Sequence, residues 1–164
     1  MRLALYTAMV VLLPPLQGML LSGMRLVGAG PDLCLVAVCL VGLFYGEVDG
    51  ILLGLAMGMV QDSLAAGDQW LNMATKGAAG LCAGLVGRHL AGATPGAMIL
   101  PIAGLSLASC LVFMTATGVG KSLTDLLSSL RIAAPELILD TLIGVGAYWF
   151  LSQRLRLAAE RELR

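Results

Sequence analysis

The sequence predicts an all-α fold, a polytopic membrane bundle of six transmembrane helices. Three observations carry this. The 164 residues are 59% apolar and only 12% charged, against roughly 25% charged in an ordinary soluble domain. Leu3–Met24 and, with a neutral histidine, His89–Gly120 are uncharged for more than the ~20 residues needed to cross hydrocarbon, and three shorter uncharged runs lie between them. The breaks between them fall at clusters of glycine and proline. Mean hydropathy is +0.92, which excludes a disordered chain, since disorder needs low hydrophobicity and high charge. Acids and bases balance at 10 each, so the basic excess of a nucleic-acid binder is missing.

The spans are placed near 3–24, 31–46, 48–66, 71–90, 97–118 and 135–153. In the first, Leu3 to Met24 carries no charge and is flanked by Arg2 and Arg25. No small-x-small cleavage site follows it, so it reads as a retained helix, kinked at Pro14-Pro15 where backbone hydrogen bonds are lost. Gly28-Ala29-Gly30 ends the next loop, and Pro31-Asp32 opens the second helix. Proline suits a first turn and an acid there complements the helix dipole. Gly92-Ala93-Thr94-Pro95-Gly96 separates spans four and five, and Pro135 is expected to begin span six. Between these, Ser122–Leu130 places Leu123, Leu126, Leu127 and Leu130 at helical spacing. That segment fits either a short amphipathic helix on the membrane surface or a polar hairpin loop.

An even number of spans puts both termini on one side. With both ends inside, Arg2, Arg88, Arg154, Arg156, Arg161 and Arg164 lie there, against Arg25, Lys76, Lys121 and Arg131 outside. The positive-inside tendency then favours cytoplasmic termini, with 1–153 as the membrane domain and 154–164 as a short tail.

Two helices carry regular glycines. Gly46, Gly50, Gly54 and Gly58 recur every fourth residue, and Gly77, Gly80, Gly84 and Gly87 follow a 3-4-3 spacing. Stripes of this kind let helix backbones approach closely. Charged residues inside spans usually face the bundle interior or a partner. Asp62, Asn72, Lys76, Glu136 and Asp140 all fall toward the outer ends of spans three, four and six. They form an expected polar cluster, either a pocket or a set of interfacial charges snorkelling to headgroups. Asp62 sits at a helix C-terminus, where the dipole disfavours an acid. Lys76 is therefore expected to pair with an acid of this set, Asp62 first because the linking turn is short.

Other chemistry lacks its residues. His89 is the one histidine, and Cys34, Cys39, Cys82 and Cys110 show no metal-ligand or CxxC spacing, so no metal site is expected and the cysteines read as small apolar core residues. Gly118-Val119-Gly120-Lys121-Ser122 matches only the end of a phosphate loop. No serine has a base in a plausible triad. Neither an enzyme nor a cofactor is expected.

Pro31-Asp32-Leu33, then Gly50-x-x-x-Gly54-x-x-x-Gly58 followed by Asp62, then Asn72 and Lys76 followed by Gly80 and Gly84, resembles the rod shape-determining protein MreD family. The resemblance covers about residues 31–90; the first and last helices add only general hydropathy. It implies a non-enzymatic inner-membrane component of the bacterial cell-elongation machinery. Such a component binds the bitopic scaffold protein MreC and works alongside the MreB filament and peptidoglycan synthases. It also implies a fold similar to the substrate-binding subunits of energy-coupling-factor vitamin transporters, with the polar cluster near the pocket of those subunits. Glu136 and Asp140 belong to no pattern carried over from the family.

That likeness supplies the rival reading, a vitamin-transporter substrate subunit, for which Ala4-x-x-x-Ala8 mimics a docking motif. Against it, Trp70, Tyr148 and Trp149 are the only Trp or Tyr outside span one and its neighbour, whereas vitamin pockets want aromatic walls. A third reading is a small ion carrier with Asp62 and Asp140 as a relay.

Overall fold

The computed structural model of the chain describes residues 2–23, 30–64, 70–89, 99–116 and 123–162. All of its regular structure is helical: α1 (Arg2–Gly23), α2 (Leu33–Tyr45), α3 (Glu47–Leu64), α4 (Leu71–His89), α5 (Ile99–Ala116) and α6 (Leu123–Glu162). Gly28 and Ala29 of the first loop, the break at 92–96 and the segment 118–122 lie outside the described residues.

α2 is the axis of the bundle. It packs against every other helix, and the others follow one another around it in the order α1, α3, α4, α5, α6. Cys34, Leu35, Val36, Ala37, Val38, Cys39, Val41 and Gly42 are all buried, so α2 is apolar all round, as a central helix must be. Its 13 residues make it about 20 Å long. Asp32 caps its start by accepting from Leu35 N at 3.0 Å. Its end is Gly46, at φ +100° and ψ 177°, a positive-φ conformation that glycine adopts without steric cost. α3 follows at the next residue and folds back along α2.

This corrects the stripe expected in span three. Gly46 is the corner between two helices, with open space around it, and not a packing residue. Gly50, Gly54 and Gly58 do pack. A Cβ on Gly50 would meet the Gly80 carbonyl, one on Gly54 the Lys76 carbonyl, and one on Gly58 the Met73 backbone. From the other side, Gly80 faces the Gly50 backbone and Gly84 the start of α3 at Glu47. Gly87 packs on α2, at the Leu43 carbonyl. Gly77 meets the end of the Leu55 side chain instead of backbone, so its contact is adjustable. The sequence reading missed Gly42, whose Cβ would lie 2.6 Å from the Gly80 carbonyl oxygen. Thus α2, α3 and α4 form one glycine-packed unit.

α6 is the second correction. It runs unbroken for 40 residues, so Pro135 lies inside it and does not begin it. Residues 123–130 are helical, which excludes the hairpin loop, but they are the first turns of α6 and not a separate helix. The 3.6-residue period of the amphipathic segment simply continues into the apolar one. α1 likewise continues through Pro14 and Pro15.

The helices run back and forth between two ends. At one end Tyr6 Oη donates to Asp49 Oδ2 at 3.1 Å and Arg88 pairs with Glu47. At the other, Gln17 of α1 meets the start of α2, and the end of α3 meets the start of α4. Among the described residues, Ala134–Gln153 is the stretch long and apolar enough to cross a membrane; Ala4–Met19, Leu33–Tyr45 and Ile99–Val112 are shorter apolar stretches. Only 17% of 134–153 is buried within the chain, so its apolar surface faces outward and is not core.

Candidate functional site

The polar residues gather where α2 and α4 begin and α3 ends. Asp62 is buried, and its position past the last α3 glycine aims it at the N-terminus of α4. Its Oδ1 accepts from Asn72 N at 3.1 Å and Asn72 Nδ2 at 2.8 Å, and its Oδ2 from Met73 N at 3.0 Å. First-turn N–H groups have no partner within their own helix, and the positive end of the α4 dipole favours an anion. These contacts offset the unfavourable placement of Asp62 at the end of α3.

Lys76 therefore does not pair with Asp62, as the sequence reading expected. Its Nζ sits 2.7 Å from Asp32 Oδ2, with the lysine side chain 4% and the aspartate 18% exposed. Nζ also donates to Asn72 Oδ1 at 3.2 Å. The reason is register: one turn separates Asn72 from Lys76, which lowers the ammonium past Asp62 to the level of the α2 cap. Asp32 serves twice, as cap of α2 and as counter-ion of Lys76.

Asp140 closes the network from α6. Its Oδ1 accepts from the Asp32 backbone N–H at 2.7 Å and its Oδ2 from Ser106 Oγ of α5, also at 2.7 Å. It is 1% exposed. Asp140 is the first of three residues at fourfold spacing that seat α6 on α2. Gly144 lies against Ile102 and Val36, and Tyr148 stacks on Phe44 with ring centroids 5.0 Å apart. Their α2 partners Asp32, Val36 and Phe44 share one helix face, so the two helices run parallel. Glu136 extends the stripe one turn beyond Asp140. It is half-buried and has no hydrogen-bond partner among the described residues.

Asp62, Asn72, Lys76 and Asp140 are thus brought together, with Asp32 between them. Pro31 precedes the cap and is half-buried. Ser106 escaped the sequence reading. Its one signal was a hydroxyl inside an otherwise apolar helix, where a buried polar group requires a partner. Cys34 and Cys39 belong to the core, whereas Cys82 is exposed and Cys110 half-buried. Chemically, the cluster is a chain of satisfied charges: one ammonium between three carboxylates, each bound to N–H or O–H donors.

Comparison with known proteins adds no relative: no family model, curated protein or solved structure matches the chain.

Proposed function

We propose that the chain is a six-span inner-membrane scaffold subunit of the bacterial cell-elongation machinery, binding an MreC-like bitopic partner and performing no catalysis. The alternating helix directions fit six crossings with both termini in the cytoplasm. Outward apolar side chains fit a lipid-facing surface: Met19, Leu12, Leu100 and Leu142 are each more than 60% exposed, at 78%, 63%, 82% and 65%. Exposed large apolar side chains occur on all six helices, Leu5, Tyr45, Leu52, Leu81, Leu107 and Phe150 among them, more than a soluble domain ordinarily presents to water. α2 is shorter than the ~30 Å hydrocarbon core, which is tolerable because its ends are held inside protein.

The observation that carries the scaffold reading is the internal pairing of Lys76, Asp62 and Asp140, which leaves Glu136 as the one half-buried acid of the cluster outside these pairings. A small-molecule site keeps polar groups free to orient its ligand. Here the ammonium of Lys76 is taken by Asp32 and Asn72, and the carboxylates of Asp62 and Asp140 by donors from α4, α2 and α5. These residues hold helices in place. Because the glycine faces of α3 and α4 are used internally, the partner meets other surfaces of the bundle.

The test is co-purification of the full chain with a single-pass periplasmic scaffold protein, together with cell shape on depletion. Stable co-purification and loss of rod shape are expected. A vitamin retained through detergent purification, with cell shape unchanged on depletion, would replace this reading by the transporter subunit.

A further inference from the structure

We propose that α5 and α6 form an arm that opens as a unit from the α2–α3–α4 core, with Asp140 as its latch. The inference is independent of the proposed function. It rests on how differently the two parts are joined.

Within the core, backbone lies on backbone at Gly50, Gly54, Gly58, Gly80 and Gly84. Among the described residues the arm has no such contact with the core. There, α6 meets α2 and α5, and α5 meets α2, α4 and α6. Across the seam, a Cβ on Gly144 of α6 would meet only a side-chain atom of α2, Val36 Cγ1 at 3.6 Å; its closer neighbour, Ile102, belongs to the arm. The rest of the seam is side chain on side chain: Tyr148 on Phe44, and Leu105 on the cluster of Leu35, Cys39, Ala79 and Ala83.

A hydrogen bond in a buried setting crosses this seam, from Asp32 N to Asp140 Oδ1 at 2.7 Å. The other oxygen of Asp140 is held by Ser106, which belongs to the arm. Ser106 therefore orients the latch while Asp32 receives it. Closed, the Asp32 N–H and both oxygens of Asp140 have partners. A small gap at the seam would leave both the Asp32 N–H and the carboxylate unpaired in apolar surroundings, which is costly. Small openings are thus disfavoured, and the seam is either shut or fully parted, the two-state behaviour expected of a hinged element.

Two native cysteines report on this. Cys39 is covered by α4 and by Leu105 of the arm. Cys34 lies on another face of α2, beneath α1 and α3 with Leu53, Met57, Met9 and Leu13. Both are essentially buried, at 2% and 0% exposure. Opening of the arm uncovers Cys39 and leaves Cys34 covered.

The experiment follows N-ethylmaleimide alkylation of the full chain in detergent by mass spectrometry, using versions that keep only Cys34 or only Cys39. In the otherwise unaltered protein, Cys39 is expected to react about tenfold faster than Cys34, because sub-global opening precedes global unfolding. Asp140→Leu should raise the Cys39 rate about tenfold more and leave Cys34 unchanged, since local stability sets the open population. Ser106→Ala, which keeps the bond across the seam, should move the Cys39 rate less than Asp140→Leu does. Equal rates for the two cysteines, or rates that rise together in Asp140→Leu, would mean global unfolding and overturn the arm. An unchanged Cys39 rate in Asp140→Leu would overturn the latch. If that variant does not accumulate, the comparison in the unaltered chain alone decides for or against the arm.

Discussion

The α3–α4 seam and the α2–α6 seam are built from opposite materials. The first presses glycine against carbonyl oxygen, so neither backbone has room to move. The second sets an aspartate, a glycine and a tyrosine, four residues apart, against the face of α2. Close backbone packing is intolerant of any added atom, because interiors are packed as densely as crystals. Side-chain packing with one buried polar bond tolerates small changes and can come apart whole. The same chain therefore holds a unit that must stay assembled and an arm that need not.

Substitutions can break or sharpen this contrast. The largest effect is expected from Gly54→Leu, which drives a branched side chain into the Lys76 carbonyl. Folded protein should not accumulate, as read by size-exclusion chromatography of the detergent extract; a monodisperse variant with unchanged melting temperature would refute the close packing. Lys76→Met comes next. It leaves Asp32 and its cap uncompensated, a loss of about 3–5 kcal/mol for a broken buried pair. A double-mutant cycle should give strong coupling of Lys76 with Asp32 and weak coupling with Asp62. Asp62→Ala should cost about 1–2 kcal/mol, the worth of a helix cap, in a reversible unfolding titration. Gly46→Ala should cost about 1 kcal/mol or more through its backbone alone, because φ +100° with ψ 177° is a conformation almost confined to glycine, while the space around it is open. The smallest effect has the opposite sign. Gln61 Oε1 is buried without a hydrogen-bond partner among the described residues. Gln61→Met removes an unpaired acceptor and should leave stability equal or slightly higher; a clear loss would show that the oxygen has a partner.

The helices of the core could be read from the sequence because their signals are local. Charge-free runs and fourfold glycine spacing located α2, α3 and α4 and their shared face. Gly46 matched the spacing by coincidence, since a helix corner also wants glycine. The partner of Lys76 could not be read, because nearness along the chain favoured Asp62 while register favoured Asp32, far away in sequence. Asp140 was placed in the polar cluster, but its burial and its bonds to Asp32 and Ser106 depend on how α5 and α6 return to α2. The parallel stripe of Asp140, Gly144 and Tyr148 stayed hidden for the same reason: two of its members are ordinary residues of an apolar helix. The length of α6 was misjudged because proline was taken as a boundary, whereas a helix can continue past one at the loss of a single backbone bond.

That length has a mechanical consequence. A continuous helix of 40 residues is a rod of about 60 Å, roughly twice the thickness of a hydrocarbon core. Asp140 grips it near its midpoint. A tilt of about 10° around that grip would sweep each tip through about 5 Å, given 1.5 Å of rise per residue. A tilt that pivots on the intact bond between Asp32 and Asp140 thus makes that bond a fulcrum, and a push on one tip arrives at the other as a displacement in the opposite sense.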